Sequence, residues 1–380
     1  MSDKPKMIPL ALPLLGEEEA AAARRPILSG WVTQGPEVKA FEAEFAALVG
    51  ATHACAVSNC TTALHLALMA VGVKAGDEVI TVSHSYIATA NSVRYCGAKP
   101  VFVDIERETF NMDPAKIEAA ITGRTRAILL VHQIGMPADL KAIIAIGKKR
   151  SLPVIEDAAC ATGSEIQWNG TWEKIGKPHA DIACFSFHPR KVVTTGDGGM
   201  ITTSNADWDK QFRLLRQHAM SVPDTVRHGA KEVIFESYPT LGYNYRMTDI
   251  QAAVGREQLK RLPEIITRRR YLADRYRQLL GKMAPVEPSW ARTNWQSYCV
   301  WLPERCDQKR VMQSMLDDGI ATRRGVMCAH REPAYTNVYG PQSLPVSEAA
   351  NDHAIVIPLF SQMTEVDQDR VVAALAKAIS

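Results

Sequence analysis

The sequence has 380 residues, 46% hydrophobic and 22% charged, which suits a folded chain of roughly two domains and excludes whole-chain disorder or fibre. Lys and Arg number 44 against 41 Asp and Glu, so a net charge of +3 gives no basis for nucleic-acid or membrane binding. The densest basic run, Arg268-Arg269-Arg270, lies in a helical pattern and reads as a solvated face.

The first apolar stretch, Met7 to Gly16, holds two prolines and falls far short of the ~20 residues a bilayer span needs. It lacks a cleavage site after a continuous apolar core, so no export leader is expected. Then β-rich runs alternate with helical patterns. Strands are predicted at His53–Val57, Glu78–Val82, Pro100–Asp104, Ala127–Val131, Pro153–Asp157, Ile182–Phe187 and Gly199–Thr203. Helices are predicted at Thr61–Val71, Pro114–Ile121 and Ala138–Lys149. Near-continuous apolar strands alternating with helices argue for a mostly parallel sheet covered on both faces.

After Asp207 the pattern changes. Thr248-Asp249-Ile250-Gln251 is a capping box opening a long helical stretch with Leu259, Leu262, Ile265, Ile266, Leu272, Tyr276 and Leu279 on one face. Pro263 is expected to restart that helix at a first turn. Ser297–Leu302 and Ile320–Arg324 read as strands, Gln308–Asp317 and Thr364–Ile379 as helices. The reading is a large α/β domain over residues 1–250 and a smaller α+β domain over 251–380. The eight cysteines are scattered without a CxxC pair, which suits reduced thiols in a cytoplasm and gives neither a zinc site nor a disulfide framework.

Three segments carry chemistry. Ser58-Asn59-Cys60-Thr61-Thr62 ends a strand and opens an apolar helix, where free amides and the helix dipole favour an anion such as phosphate; plain N-capping is the alternative. Glu156-Asp157 ends an apolar strand, where open α/β sheets place ligands, and small residues after Asp157 leave room for a flat ring; an acidic helix cap is the alternative. Cys184–Lys191 followed by Thr194-Thr195-Gly196-Asp197-Gly198-Gly199 puts one lysine between a buried strand and a glycine-rich turn. A partly buried lysine loses proton affinity and becomes a nucleophile. An anion cradle, a carboxylate and an imine-forming amine together suit pyridoxal phosphate. No GxGxxG, Walker, GxSxG or HExxH pattern offers a competitor.

With those segments the chain resembles the sugar aminotransferases of the DegT/StrS type, within the fold-type I pyridoxal phosphate enzymes. The matching stretches are Gly30–Pro36, Ser58–Leu64, Ala88–Asn91, Gly97–Asp104, Glu156–Ala159, Ser186–Gly199 and Leu241–Asp249, in the family's order. The resemblance implies that Lys191 bonds to the cofactor and that Asp157 faces the ring nitrogen. It implies phosphate ligands at Thr61, Thr62 and Ser186, with Asn244 reaching in from a second subunit, and Tyr86 stacking on the ring. His188 is placed at substrate or in packing. The cofactor would cycle through pyridoxamine phosphate, a keto-sugar and an amino donor such as glutamate would be the substrates, and a homodimer would share its sites.

Four departures stand out. Cys60 replaces a usual glycine, Cys160 a usual glutamine or histidine, and Ile134 an expected tyrosine, while Arg323–Arg331 differs from the commoner aromatic- and histidine-containing version. Arg323, Arg324 and Arg331 are the candidate contacts to a nucleotide diphosphate. A lyase or dehydratase on the same scaffold is the second reading, which Lys191 disfavours because sugar dehydratases of this type carry histidine there. A non-catalytic ligand-sensing protein is the third, and it leaves the Asp157/Lys191 pair unexplained.

Overall fold

The central sheet is built from strands whose alternate residues feed two opposite cores. A computed structural model describes residues 6–222, 226, 227 and 231–380. Its strands are β1 (His53–Val57), β2 (Glu78–Val82), β3 (Lys99–Val103), β4 (Thr125–Val131), β5 (Val154–Asp157), β6 (Glu165–Trp168), β7 (Thr171–Lys174), β8 (Ile182–Ser186) and β9 (Gly199–Thr203). Seven of them form one sheet in the order β1-β9-β8-β5-β4-β2-β3. The β3–β2, β2–β4, β4–β5 and β5–β8 pairs are parallel, whereas β9 is antiparallel to both β8 and β1.

Ile128, Leu130, Ala183 and Phe185 point into one core with Phe41 and Phe45 of helix Pro36–Val49. Leu129, Ile155, Ile182 and Cys184 point into the other, against Leu64 and Leu68 of helix Cys60–Ala70. This alternation is why the strands read as unbroken apolar runs.

The capping box at Thr248 is present, with Gln251 N donating to Thr248 Oγ1 at 3.2 Å and Thr248 N to Gln251 Oε1 at 3.0 Å. It opens a helix from Asp249 to Leu280 that runs straight through Pro263. The expected restart at Pro263 is therefore corrected. Leu262 and Ile265 on either side of it are buried in the large core, and that packing outweighs one lost backbone bond. Leu272, Tyr276 and Leu280 of the same helix pack instead into a third core with Trp295, Tyr298, Ile355 and Ile357.

That core lies against β11 (Tyr298–Trp301), β12 (Arg323–Arg324) and β13 (Ala354–Ile357), an antiparallel sheet in the order β11-β13-β12; a short β10 (Ala291–Arg292) pairs with β6. The expected strand at Ile320–Arg324 narrows to its last two residues. Ile320 and its neighbours pair with the N-terminal segment instead, Ile8 N donating to Gly319 O at 2.8 Å and Ala321 N to Ile8 O at 3.0 Å.

The basic run is also corrected. Arg269 is buried, and its guanidinium binds the carbonyls of Trp295 (2.9 Å), Gln296 (2.6 Å) and Leu359 (3.1 Å). Burial pushes its pKa down to about 10. All eight cysteines are unpaired, and among the described residues no helix is long and apolar enough to cross a membrane.

Candidate active site

β5 delivers two adjacent carboxylates to its C-terminal end, and strand alternation sends them to opposite faces. Glu156 is spent internally. The ring of buried His132 accepts Ala138 N at Nδ1 (3.0 Å), so its Nε2 carries the proton and donates to Glu156 Oε2 at 2.8 Å. Asp157 turns the other way and is 5% exposed. Its Oδ2 accepts the Thr89 hydroxyl at 2.7 Å and its Oδ1 accepts Ala159 N at 3.2 Å. Thr89 spends its proton on the carboxylate, so it accepts from Ser85 Oγ at 2.8 Å. Burial raises the Asp157 pKa, while those two hydrogen bonds and the charge of Lys191 pull against it. Among the described residues no cation lies within ion-pairing distance of Asp157, so its negative charge awaits a positive partner.

Lys191 lies in the loop that follows the strand alongside, since β8 pairs with β5 in the register Asp157–Cys184 and ends at Ser186. Past Ser186 the chain folds back on itself. Lys191 N donates to His188 O at 2.8 Å, Thr195 N to Phe187 O at 3.0 Å, and Thr194 Oγ1 to Phe187 O at 2.8 Å. Gln296, from the C-terminal part of the chain, ties the loop down through Arg190 O at 3.0 Å. The half-buried Lys191 side chain brings Nζ to 3.0 Å from Cys160 Sγ. Burial lowers the pKa of the amine. The Cys160 sulfur, then Cys60 and Asp157, raise it and prevail, so the net shift of Lys191 is upward and the lowered proton affinity expected of a partly buried lysine is corrected.

The helix Cys60–Ala70 presents its N-terminus beside these groups. Asn59 is its N-cap, accepting Thr62 N at 3.0 Å, and the Thr62 hydroxyl returns to Asn59 O at 2.7 Å. Thr62 is thereby part of the cap, whereas no described side chain engages the Thr61 hydroxyl. Cys60 is accommodated because its side chain turns inward, Sγ donating to Cys184 O at 3.6 Å. Gly199 lets the start of β9 close onto this loop. A Cβ on Gly199 would come within 2.5 Å of the Asn59 carbonyl carbon and 2.9 Å of Cys60 N. Ser186 is buried at the end of β8.

The remaining candidates lie further out. Tyr86 is 72% exposed, at the N-cap of helix Ile87–Tyr95 that carries Thr89. His188 is exposed and accepts Arg190 N through Nδ1 at 3.2 Å. Asn244 is exposed; its backbone bridges to Gln217, and the next carbonyl, Tyr245 O, receives Ser58 N at 2.8 Å. The arginine segment is brought to the Tyr86 loop, because Ser83 Oγ meets His330 Nδ1 at 2.6 Å and Ala329 N donates to Ser83 O at 2.9 Å. Arg331 already forks onto Asp352 at 2.7 and 2.8 Å, and Arg324 pairs with Glu332 at 3.3 Å. Both are exposed pairs, as is the position of Arg323.

Sequence reasoning missed Thr89, Ser85 and the contact between Cys160 and Lys191. Thr89 lay inside a quoted stretch, but only the fold brings β5 to its helix. The residues present fit pyridoxal phosphate: a helix N-terminus with an unengaged hydroxyl for the anion, a buried carboxylate lacking a cation for the ring nitrogen, and a lysine amine beside both.

A family model described as the DegT/DnrJ/EryC1/StrS aminotransferase family matches residues 13–376. Among solved structures, DesV of S. venezuelae is 32% identical, with 99% of each chain covered and a TM-score of 0.89. PseC of Helicobacter pylori, an aminotransferase involved in pseudoaminic acid biosynthesis, is 26% identical with a TM-score of 0.91, over 98% of this chain and 99% of that one. The sugar aminotransferase Spr1654 of Streptococcus pneumoniae, described as putative in its own structure, is also 26% identical. Its PLP form has a TM-score of 0.89, over 98% of this chain and 100% of that one.

Proposed function

Because the chain belongs to the DegT/DnrJ/EryC1/StrS aminotransferase family, we propose that it moves an amino group from glutamate to a nucleotide-linked keto-sugar in amino-sugar biosynthesis. It is a pyridoxal phosphate enzyme on an α/β fold, and both the PLP and PMP forms of the cofactor occur among its structural neighbours. The observation that carries the reading is the convergence of Asp157, at the end of β5, and Lys191, in the loop that follows the paired strand β8, beside the N-terminus of helix Cys60–Ala70.

Bound there, the cofactor supplies an aldehyde to carry the amino group and a ring that withdraws electrons from the carbon losing its proton. The protein's part is to bind, orient and move a proton. The Cys60–Ala70 helix N-terminus, Thr61 and Ser186 hold the phosphate. Thr62 shapes that loop through its cap. Asp157 keeps the ring nitrogen protonated, an opposite-charge pairing that also relieves the cost of burying the carboxylate. Tyr86, exposed at the start of the helix that carries Thr89, would stack on the ring. Lys191 would hold the cofactor through Nζ and, when that amine is free, would be the group placed to accept and return a proton.

We place the protein in the cytoplasm, consistent with eight unpaired cysteines. We read the working unit as a homodimer, since Asn244 is exposed on its own subunit and free to reach a partner's phosphate. Neighbours such as PseC support the amino-sugar reading. The nucleotide reading draws on Arg323 and Arg324 lying in the segment docked beside Tyr86, where a guanidinium fork suits a diphosphate. The test is a panel of nucleotide-linked and free keto-sugars, scored by loss of the pyridoxamine absorbance. Decay is expected with a nucleotide-linked ketone. Decay with unphosphorylated ketones alone overturns the nucleotide-linked substrate and leaves the aminotransferase intact.

A further inference from the structure

The sulfur of Cys160 has a partner that is itself a reacting atom. Lys191 Nζ lies 3.0 Å from Cys160 Sγ, with the amine donating. Both ends of this contact are built in from the backbone. On the cysteine side, Ala158 N donates to Cys184 O and Ala161 N to Ala158 O, each at 2.9 Å, which fixes the turn after β5. Asn294 Nδ2 then clamps Cys160 O at 2.8 Å. The loop at Gly135 closes over the same carbonyl, leaving only 3.2 Å between that oxygen and a Cβ placed on the glycine. On the lysine side, Gln296 Nε2 holds Arg190 O at 3.0 Å. Asn294 and Gln296 are joined to each other, Gln296 N donating to Asn294 Oδ1 at 2.8 Å. One short segment, residues 294–296, therefore sets the positions of both the thiol and the amine.

We propose that Cys160 is a positioning residue for Lys191: its sulfur accepts a hydrogen bond from the Nζ ammonium and fixes where that amine rests whenever it is not joined to the cofactor. The inference rests on Lys191 being the cofactor's anchor, and it gives a role to a residue that departs from the family pattern. It has a consequence for proton transfer. The charged or titratable groups facing the amine are Cys160 and Asp157 from the β5 end, Cys60 from the phosphate-loop helix, and His188 on its own loop. Burial disfavours the ammonium, and Cys160 is the neighbour that opposes burial most strongly. Without that sulfur, Lys191 gives up its proton at lower pH.

The experiment uses the full-length protein in its pyridoxamine form, in which Lys191 is not joined to the cofactor. Trinitrobenzenesulfonate, which reacts with neutral amines, labels the protein across a pH series, and peptide mass spectrometry reads Lys191 alone. Cys160→Ala is expected to move the labelling midpoint of Lys191 down by about one pH unit, the scale of one hydrogen bond to a charged group. Cys160→Gln, whose side-chain carbonyl can accept the same proton, is expected to restore it. Cys160→Val, close to the thiol in size and lacking an acceptor, serves if the alanine variant does not fold. An unchanged or raised midpoint in whichever acceptor-free variant folds overturns the proposal. Labelling needs no bond between Lys191 and the cofactor, so this failure is distinct from finding the cofactor attached elsewhere.

Discussion

Thr61 and Thr62 are adjacent threonines with opposite duties. The Thr62 hydroxyl is engaged with the Asn59 backbone, whereas no described side chain engages the Thr61 hydroxyl. Thr62→Ala leaves the Asn59 cap on the residue-62 amide and removes only the hydroxyl's return bonds to Asn59, so it is expected to cost about 1 kcal/mol of stability in urea unfolding, the scale of one neutral hydrogen bond. Thr61→Ala is expected to leave the unfolding midpoint unchanged and to weaken cofactor binding several-fold in equilibrium dialysis, roughly one neutral hydrogen bond. The sequence offered both as phosphate ligands because capping and anion binding draw on the same residue types at a helix N-terminus. Asp157 and Glu156 were harder to tell apart from composition alone. Strand alternation separates them: His132 occupies one, and the other is left with two neutral donors. No rule of sequence spacing could place Cys160 against Lys191, since that contact depends on Asn294 and Gln296, more than a hundred residues downstream.

Elements were legible where one physical pattern dominates. The central strands were visible because burial on both faces leaves them continuously apolar. The β6–β7 hairpin was passed over although Asn169-Gly170 marks it, with both residues at positive φ, 48° and 87°. β13 is only four residues long and follows a helix directly, so no periodicity announces it. Helix Pro36–Val49 makes the clearest test at this scale. Glu42 on it accepts Ala56 N at 2.9 Å and Arg213 Nη1 at 2.7 Å, and also binds the buried Arg216, tying the helix to β1 and to helix Ala206–Leu215. Burial raises the Glu42 pKa, but the two arginines lower it further, and the net shift is downward. A carboxylate with a lowered folded pKa contributes stability above its unfolded value, lost as pH falls through the folded one. Glu42→Ala is expected to cost roughly 3–5 kcal/mol near neutral pH, because it strands the buried Arg216 charge. Urea unfolding checks this, and the gap to the native protein should narrow in acid as Glu42 itself becomes protonated.

At the scale of the molecule, the long helix Asp249–Leu280 joins one core of the central sheet to the core of the C-terminal sheet, and the segment after it reaches back to hold the site through Asn294 and Gln296. If Asn244 completes a partner's site, then Lys191→Ala and Asn244→Ala subunits can repair one another. Mixed in equal amounts and allowed to exchange, half the dimers are hybrids with one complete site each, so about a quarter of all sites are complete and activity is expected to rise above the mean of the two variants assayed alone. A mixture as inactive as its components would assign Asn244 to its own subunit. The central claim is that Lys191 bears the cofactor, and it has a direct test. The protein loaded with pyridoxal phosphate is reduced with borohydride, digested and read by peptide mass spectrometry. The account predicts the reduced cofactor on Lys191 and none retained by a Lys191→Ala protein; cofactor fixed to any other residue, or trapped as well by the alanine variant, would contradict it.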